Sequence, residues 1–247
     1  MVEALVRGPH ESARMTPSPL RVANVDDESA SLLPVVLQIF AREPVTGQCK
    51  RRLIPALGAK GSAHLHAAMV RRTLSAAVSA AQLQKGFKVE LWGARDTNDA
   101  FLRAQAKLHG CEFKRQHAGD LGARMLGAVA DATAQRYGAV IIGTDCPSMT
   151  SVRIAAAVDA LRRGYPVIMR PATDGGYVCI GMQQAHASLF TDIEWGSARV
   201  AAQTRQRLIQ ARLRWLELAA LPDIDRPADL ALLPSALLPS ALRQAHW

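Results

Sequence analysis

The stretch Ala139–Pro147, AVIIGTDCP, decides the fold of this 247-residue chain. Four apolar residues, typical of a buried strand, run directly into a polar turn that contains Asp145 and ends at Pro147. This places a carboxylate at the carboxyl end of a strand, where a hard divalent cation such as Mg²⁺ or Mn²⁺ can bind with one or two carboxylates and keep some of its waters. Asp145 is therefore the first predicted metal ligand, and the alternative is that it caps the helix predicted from Val152.

The same alternation of short apolar runs and longer helical patterns extends over most of the chain. It predicts an α/β fold, a single Rossmann-like domain with a mostly parallel sheet, in which ligands bind beyond the carboxyl ends of the strands. The predicted strands are Pro34–Phe40, Phe87–Trp92, Glu112–Gln116, Ala139–Thr144, Pro166–Arg170, Tyr177–Met182 and Leu213–Leu218.

Helical spacing predicts the elements between these strands. The first helix is expected to be capped by Ser62, and the others fit Asp99–Leu108, Gly119–Arg136, Val152–Arg163, Ser197–Ala211 and Ala228–Leu232. Residues 1–30 contain few apolar side chains and are predicted to be a flexible leader. The domain is expected to span residues 31–233, followed by a tail over 234–247.

Composition limits the function classes. The 30 Lys and Arg residues exceed the 21 Asp and Glu residues, giving a net charge of +9 that favours an anionic partner. Aromatic residues are only 5% of the chain, so platforms for stacking nucleic-acid bases are few and nucleic acid is not expected to be the partner. With no long apolar run, no secretory pattern and four widely spaced cysteines, the sequence predicts a cytoplasmic protein with reduced thiols and no membrane association.

The segment that follows the first strand is a predicted phosphate-binding loop. Arg42, Gly47, Lys50 and Arg52 combine a flexible turn with cations that can neutralise a phosphate. The alternative is an exposed basic loop. A Walker A pattern is absent from the sequence.

A second glycine-containing segment, Gly119–Met125, opens a predicted helix. Gly122 permits close approach to the helix N-terminus, and Arg124 is expected to reach a nucleotide from the first turn. Simple capping of this helix by Asp120 is an equal alternative.

The segment Asp174–Tyr177 lies between two predicted strands. Asp174 is the predicted catalytic group, since it can accept a hydrogen bond from a sugar hydroxyl or act as a base, and Gly175, Gly176 and Tyr177 are the predicted acceptor contacts. Asp-Gly between two apolar strands is also an ordinary hairpin signal. Trp195 is either a wall for the acceptor or a core aromatic.

Three carboxylates occur together near the end of the domain. Asp225 is the predicted second metal ligand, whereas Asp229 is assigned to the N-terminus of the short helix that Pro227 starts. His64 and His66 lie two residues apart on a helix and do not face each other, so no zinc site is predicted there.

Six ordered segments resemble a bacterial family of glycosyltransferase-A-like (GT-A-like) proteins, the arsenosugar-biosynthesis-type glycosyltransferases. They are FAREPVTGQCKRRL (40–53), GDLGARM (119–125), IIGTDCP (141–147), PATDGGYVCIG (171–181), IEWGS (193–197) and DIDRPADL (223–230). The resemblance covers about Leu33 to Leu233 and implies the nucleotide-diphospho-sugar transferase fold. Where the family usually has Lys-Thr-Arg-Leu, this chain has Arg51 in place of the threonine.

The resemblance implies a metal-dependent glycosyltransferase with a nucleoside-diphosphate sugar donor and a small-molecule acceptor. Molybdopterin- and phospholactate-guanylyltransferases share the fold and look similar around Lys50, Arg52 and Asp225. The alternative is therefore a nucleotidyltransferase that uses a nucleoside triphosphate and releases pyrophosphate. The sequence leaves the oligomeric state, the acceptor and the donor open.

Overall fold

The seven predicted strands are all present in a computed structural model, which describes residues 33–84, 87–94 and 98–237. They are β1 (Val35–Ala41), β2 (Phe87–Gly93), β3 (Glu112–Arg115), β4 (Gly138–Gly143), β5 (Val167–Pro171), β6 (Tyr177–Met182) and β7 (Trp215–Glu217). The predicted leader over residues 1–30 lies outside the described residues, as do residues 238–247 of the predicted tail.

The strands form one sheet in the order β3-β2-β1-β4-β6-β5-β7. Strand β6 runs antiparallel to its neighbours β4 and β5, and the other pairs are parallel, which confirms the predicted mostly parallel α/β fold. Because β6 follows β5 through a short connection, the chain reverses there instead of crossing over with a helix.

Helices cover both faces of the sheet, as a buried parallel sheet requires. They are α1 (Ile54–Leu83), α2 (Ala100–Leu108), α3 (Leu121–Ala134), α4 (Ser151–Arg162) and α5 (Val200–Gln210). Alternate strand residues supply two cores. Leu37 and Val140 pack with residues of α1, α2 and α4, whereas Val36 and Ile141 pack with residues of α3 and α5.

The predicted start of the first helix is wrong. Helix α1 begins at Ile54, with Pro55 in its first turn, so Ser62 is a buried interior residue and not the cap. Gly58 has a non-helical backbone (φ 68°) and interrupts this first part of the helix. The last predicted helix is a 3₁₀ helix over Pro227–Leu232. No helix among the described residues is long and apolar enough to cross a membrane.

The carboxyl ends of β1, β4 and β5 lie at the same edge of the sheet. In the parallel pairing Phe40 lies opposite Gly143, and the antiparallel β6 brings its first residue, Tyr177, opposite Pro171. Loops from distant parts of the sequence therefore meet at this edge, and the candidate site lies there.

Candidate functional site

A cavity of about 330 Å³, here called the main cavity, opens at the carboxyl edge of the sheet. Its walls come from the ends of β1, β3 and β4, from α1, from the start of α3 and from the β5–β6 connection. The lining residues are Phe40, Ala41, Arg42, His66, Gln116, Leu121, Arg124, Gly143, Thr144, Asp145, Cys146, Ala172, Asp174, Gly176, Tyr177, Val178 and Asp223.

Two predicted phosphate ligands, Arg42 and Arg124, line this cavity. The Nε of Arg124 donates to the carbonyl of Gly119, 2.8 Å away, which holds the guanidinium at the N-terminus of α3. Asp120 accepts a hydrogen bond from the backbone N–H of Ala123 at 2.8 Å, so it caps α3 as the alternative proposed. The site thus offers two guanidinium groups and a helix N-terminus to an anion.

Three carboxylates line the same cavity: Asp145, Asp174 and Asp223. Asp145 does not cap the following helix, where Thr150 occupies the N-cap position. Burial raises the pKa of Asp223, and the negative charge of Asp174 raises it further. Asp223 was not among the predicted ligands, although the DIDRPAD segment that contains it was, because spacing alone does not show which carboxylate of an irregular segment faces a cavity.

Lys50 is buried next to Asp145 and is not one of the residues that line the main cavity. Its side chain is only 3% exposed, with Nζ 3.0 Å from Oδ1 of Asp145 and 3.9 Å from Oδ1 of Asp225. It also donates to the carbonyl of Ile224, whose own N–H donates to the carbonyl of Asp145 at 2.8 Å. Lys50 therefore joins the loop after β4 to the segment around Ile224 as a buried counter-ion.

Arg52 and Asp225 form an ion pair at a second cavity of about 300 Å³, here called the side cavity. Its other lining residues are Thr173, Asp174, Gly196, Ser197, Ala198, Asp223, Arg226 and Asp229. Asp229 accepts from the backbone N–H groups of Asp225 and Arg226, as expected for a residue at a helix N-terminus. Asp174 and Asp223 line both cavities and therefore mark where the two meet.

The Asp174–Tyr177 segment is both a hairpin turn and a cavity wall. Oδ1 of Asp174 accepts from the N–H of Gly176 at 2.9 Å, which closes the turn between β5 and β6. Gly175 has a φ of +95°, and a Cβ there would lie 2.1 Å from the carbonyl oxygen of Ala198, so only glycine fits. The hydroxyl of Tyr177 points inward to the sulfur of Met125, and burial raises its pKa.

Trp195 packs as a core aromatic and lines neither the main cavity nor the side cavity. Its ring stacks on Phe190 and meets Tyr177 edge-on. A Cβ on Gly122 would lie 2.7 Å from the Trp195 ring, so Gly122 serves this packing. Gly47 has a φ of +79° in the turn before Lys50 and lies outside both cavities, which leaves it a conformational role.

His66 is a cavity residue that the sequence did not predict. It lies on α1 with only 6% of its side chain exposed, and Nδ1 lies 4.0 Å from Oδ1 of Asp145. Its Nε2 lies 3.0 Å from the carbonyl oxygen of Arg42. Burial lowers the pKa of the imidazole. The proximity of His66 to Asp145 could not be predicted from the sequence, because only the folded chain brings α1 next to the loop after β4.

Solved structures share this fold. A proposed nucleotide-diphospho-sugar transferase from Desulfovibrio desulfuricans G20 is 27% identical, with a TM-score of 0.74 over 86% of this chain and 91% of that one. A cytidylyltransferase from Leptospira borgpetersenii is 17% identical (TM-score 0.55, 84% and 89%). Glucosyl-3-phosphoglycerate synthase from Mycobacterium tuberculosis, solved with Mn²⁺, uridine diphosphate and glucosyl-3-phosphoglycerate, is 11% identical (TM-score 0.50, 80% and 74%).

The fold and the cavity together define the class: the chain is an enzyme, a transferase built on the nucleotide-diphospho-sugar transferase fold. Residues 76–197 match the model of a family described as "Uncharacterized protein conserved in bacteria (DUF2064)". No curated protein matches the chain. The finer resemblance to arsenosugar-biosynthesis-type glycosyltransferases remains a prediction.

Proposed function

We propose that the protein is a metal-dependent glycosyltransferase that transfers a sugar from a nucleoside-diphosphate donor to a small-molecule acceptor. The observation that carries the proposal is the charge arrangement of the main cavity, where Arg42 and Arg124 face the same space as Asp145, Asp174 and Asp223. Guanidinium groups favour a phosphate, whereas carboxylates repel one. A diphosphate can occupy this cavity next to the carboxylates when a divalent cation lies between them.

The residues present fit such a cation. Asp145 lines the main cavity with half of its side chain exposed, although its Oδ1 also contacts the ammonium of Lys50 at 3.0 Å. Among the described residues no three His, Cys, Asp or Glu side chains form a ready-made metal cluster. A Mg²⁺ or Mn²⁺ ion held by few protein groups takes its other ligands from substrate phosphates and water, as is common for nucleotide-binding enzymes.

The side chains that line the two cavities then have separate roles in the reaction. Arg42 and Arg124 bind the diphosphate and stabilise the negative charge that grows on the leaving nucleoside diphosphate. When bound, the cation supplies further stabilisation of that charge as a Lewis acid. Asp174 and Asp223, which both cavities share, lie where an acceptor hydroxyl entering from the side cavity meets the donor, and Asp174 orients or deprotonates that hydroxyl.

The positions of Lys50 and Arg52 favour glycosyl transfer over nucleotidyl transfer. A nucleoside triphosphate carries more negative charge than a nucleotide sugar and needs more cations. Lys50 and Arg52, the two loop cations that are expected to hold a triphosphate, are instead paired with Asp145 and Asp225.

The test is incubation of the full chain, with Mg²⁺ or Mn²⁺, with separate panels of nucleotide sugars and nucleoside triphosphates, followed by phosphorus NMR. Release of a nucleoside diphosphate from a sugar nucleotide is the expected result. Pyrophosphate release from a triphosphate would assign the protein to the nucleotidyltransferases instead. Asp145→Asn is the matched negative control, since it removes one charge with little change in volume.

A further inference from the structure

The residues that line the main cavity divide by charge along the sheet. Among the described residues, those from the ends of β1 and β3 and from the start of α3 include two arginines and no carboxylate: Phe40, Ala41, Arg42, Gln116, Leu121 and Arg124. The carboxylates Asp145, Asp174 and Asp223 come from the β4–β7 side. In the proposed function the diphosphate binds the arginines and the sugar lies toward Asp174. The nucleoside, at the other end of the diphosphate, then lies toward β1 and β3.

The end of the cavity formed by β1, β3 and α3 has an apolar wall. The ring of Phe40 is partly exposed and stacks on Trp92, with 6.0 Å between the ring centroids. Leu121, in the first turn of α3, is 43% exposed. Nucleobases bind between aromatic and apolar side chains, so this wall suits a flat, uncharged ring.

One polar side chain, Gln116, accompanies this apolar wall and is held in place by the backbone. Gln116 is only 6% exposed, and its N–H donates to the carbonyl of Gly93 at 2.9 Å. Nε2 donates to the carbonyls of Trp92 at 3.0 Å and Ala41 at 3.5 Å. Because a carbonyl oxygen can only accept, these contacts fix which end of the carboxamide is the nitrogen. Oε1 has no hydrogen-bond partner among the described residues, so Gln116 offers a ligand an acceptor and no donor.

We infer that Gln116 binds the nucleobase of the donor, with Oε1 accepting a hydrogen bond from an N–H on the Watson–Crick edge of the base. The inference rests on the proposed function, which places a nucleotide in this cavity. Water can bond to Oε1 in the free protein. An acceptor held by two backbone carbonyls still discriminates among ligands, because only a ligand with an N–H replaces that water without loss of a hydrogen bond.

This chemistry predicts which ligands the site rejects. The imino N–H of uracil or guanine and the amino group of cytosine or adenine can each donate to Oε1. A base in which methyl groups replace these hydrogens cannot donate, and its methyl group meets the oxygen instead. Ribose 5-diphosphate carries the same phosphates without a base, so it gains nothing from Gln116.

The experiment measures binding to the full chain, in Mg²⁺ or Mn²⁺, by isothermal titration calorimetry. The probes are uridine, cytidine, adenosine and guanosine diphosphates and ribose 5-diphosphate. The wild type is expected to bind at least one nucleoside diphosphate about 10-fold or more tightly than ribose 5-diphosphate. The analogue of that nucleotide with a methylated Watson–Crick edge is expected to bind about 10-fold or more weakly than its parent. Both comparisons are made without any substitution in the protein.

The matched variants are Gln116→Ala and Gln105→Ala. Gln105 is a similarly buried glutamine, 8% exposed on α2, that lines neither the main cavity nor the side cavity. Gln116→Ala is expected to bind the nucleoside diphosphate about 10-fold more weakly, to bind ribose 5-diphosphate as the wild type does, and to lose the discrimination against the methylated analogue. Gln105→Ala is expected to behave as the wild type. Thermal unfolding of both variants checks that they fold.

Three results would overturn the inference: ribose 5-diphosphate that binds as tightly as every nucleoside diphosphate, methylation without effect on the wild type, or equal weakening of both kinds of ligand by Gln116→Ala. The first two are measured on the wild type and decide the question even when the variant fails to fold.

The donor assay separates this inference from the proposed function. Release of nucleoside diphosphates from sugar nucleotides at rates that depend neither on the base nor on Gln116 refutes the role of Gln116 and leaves the proposed function standing. Base-dependent binding that is lost in Gln116→Ala, without release from any nucleotide sugar, does the reverse.

Discussion

Two groups of charged side chains in this protein have opposite characters. In the first, here called the Glu90 cluster, Oε1 of Glu90 lies 3.3 Å from Nζ of Lys88 and 2.8 Å from Nζ of Lys114, and Oε2 accepts from the indole N–H of Trp92. Lys88 is also 2.8 Å from Glu112. Glu90 is only 4% exposed, and both of its oxygens have partners.

The main cavity is the second group, and there the charges are only partly matched. Nδ1 of His66 has no hydrogen-bond partner in the protein, half of the Asp145 side chain is exposed, and Asp223 lies close enough to Asp174 for their charges to repel. The difference separates two uses of a buried charge. A complete network stabilises the strands that carry it, whereas an incomplete one at the carboxyl edge is retained for a ligand that completes it.

The largest effect is expected from Asp145→Asn. If Asp145 binds the proposed cation, losing its negative charge removes several kcal/mol of stabilisation from the developing charge, so turnover is expected to fall by about 100-fold or more. The fold should survive, since Lys50 keeps the carbonyl of Ile224 and the charge of Asp225. Steady-state rates and thermal unfolding measure the two effects, and an unchanged rate in Mg²⁺ would remove Asp145 from the metal site.

Arg124→Gln is expected to weaken donor binding. One charge-assisted hydrogen bond to a phosphate is worth about 1.5–3 kcal/mol, which corresponds to a rise in donor KM of about 10- to 100-fold. Arg163→Gln, an exposed arginine on the far end of α4 that pairs with Asp159, is the control and should leave KM unchanged. Equal KM values for the two variants would contradict the role of Arg124.

Glu90→Gln tests whether the Glu90 cluster stabilises the fold. The amide keeps the volume but loses the charge that both lysines contact, so the free energy of unfolding is expected to fall by about 1–3 kcal/mol. Denaturant titration measures this loss. The rate per folded molecule should stay at the wild-type value, and a variant of full stability but reduced activity would show that the cluster is not structural.

Asp223→Asn is expected to give the smallest effect and the opposite sign. Because the pKa of Asp223 is raised on folding, the folded state holds the proton more tightly, and the stability of the wild type falls as pH rises through the folded pKa. The variant should therefore melt about 1 to 3 °C higher than the wild type at pH 7, with the gap closing below about pH 4. A lower melting temperature at pH 7 would show that the carboxylate stabilises the fold.

The sheet could be predicted almost completely from the sequence. A strand such as β4 is a continuous run of apolar residues, so it can be predicted from its own segment of sequence. Because parallel strands end at the same edge of a sheet, the sequence also predicts that the segments after β1, β4 and β5 meet there. The start of α1 could not be predicted, because Pro55 and the interruption at Gly58 lie before the regular spacing begins.

Which charges pair with each other in the site could not be predicted from the sequence, for a physical reason. Spacing indicates that Arg42, Arg124, Asp145 and Asp174 lie near the carboxyl edge, but it does not show which of their neighbours neutralise each other. Lys50 illustrates the limit: its charge indicates a phosphate ligand, whereas the fold surrounds it with carboxylate and carbonyl oxygens. Such pairings depend on residues distant in sequence.

The contact between Lys50 and Ile224 joins residues that are 174 positions apart. A ribosome completes the strands around Asp145 well before it adds Ile224, and at about 5–20 residues per second the interval is several seconds. During that time Asp145 lacks the backbone partner that Ile224 later supplies. The nascent chain therefore cannot complete the proposed active site, so a truncated chain that ends before residue 221 is expected to lack transferase activity even if most of its sheet has formed.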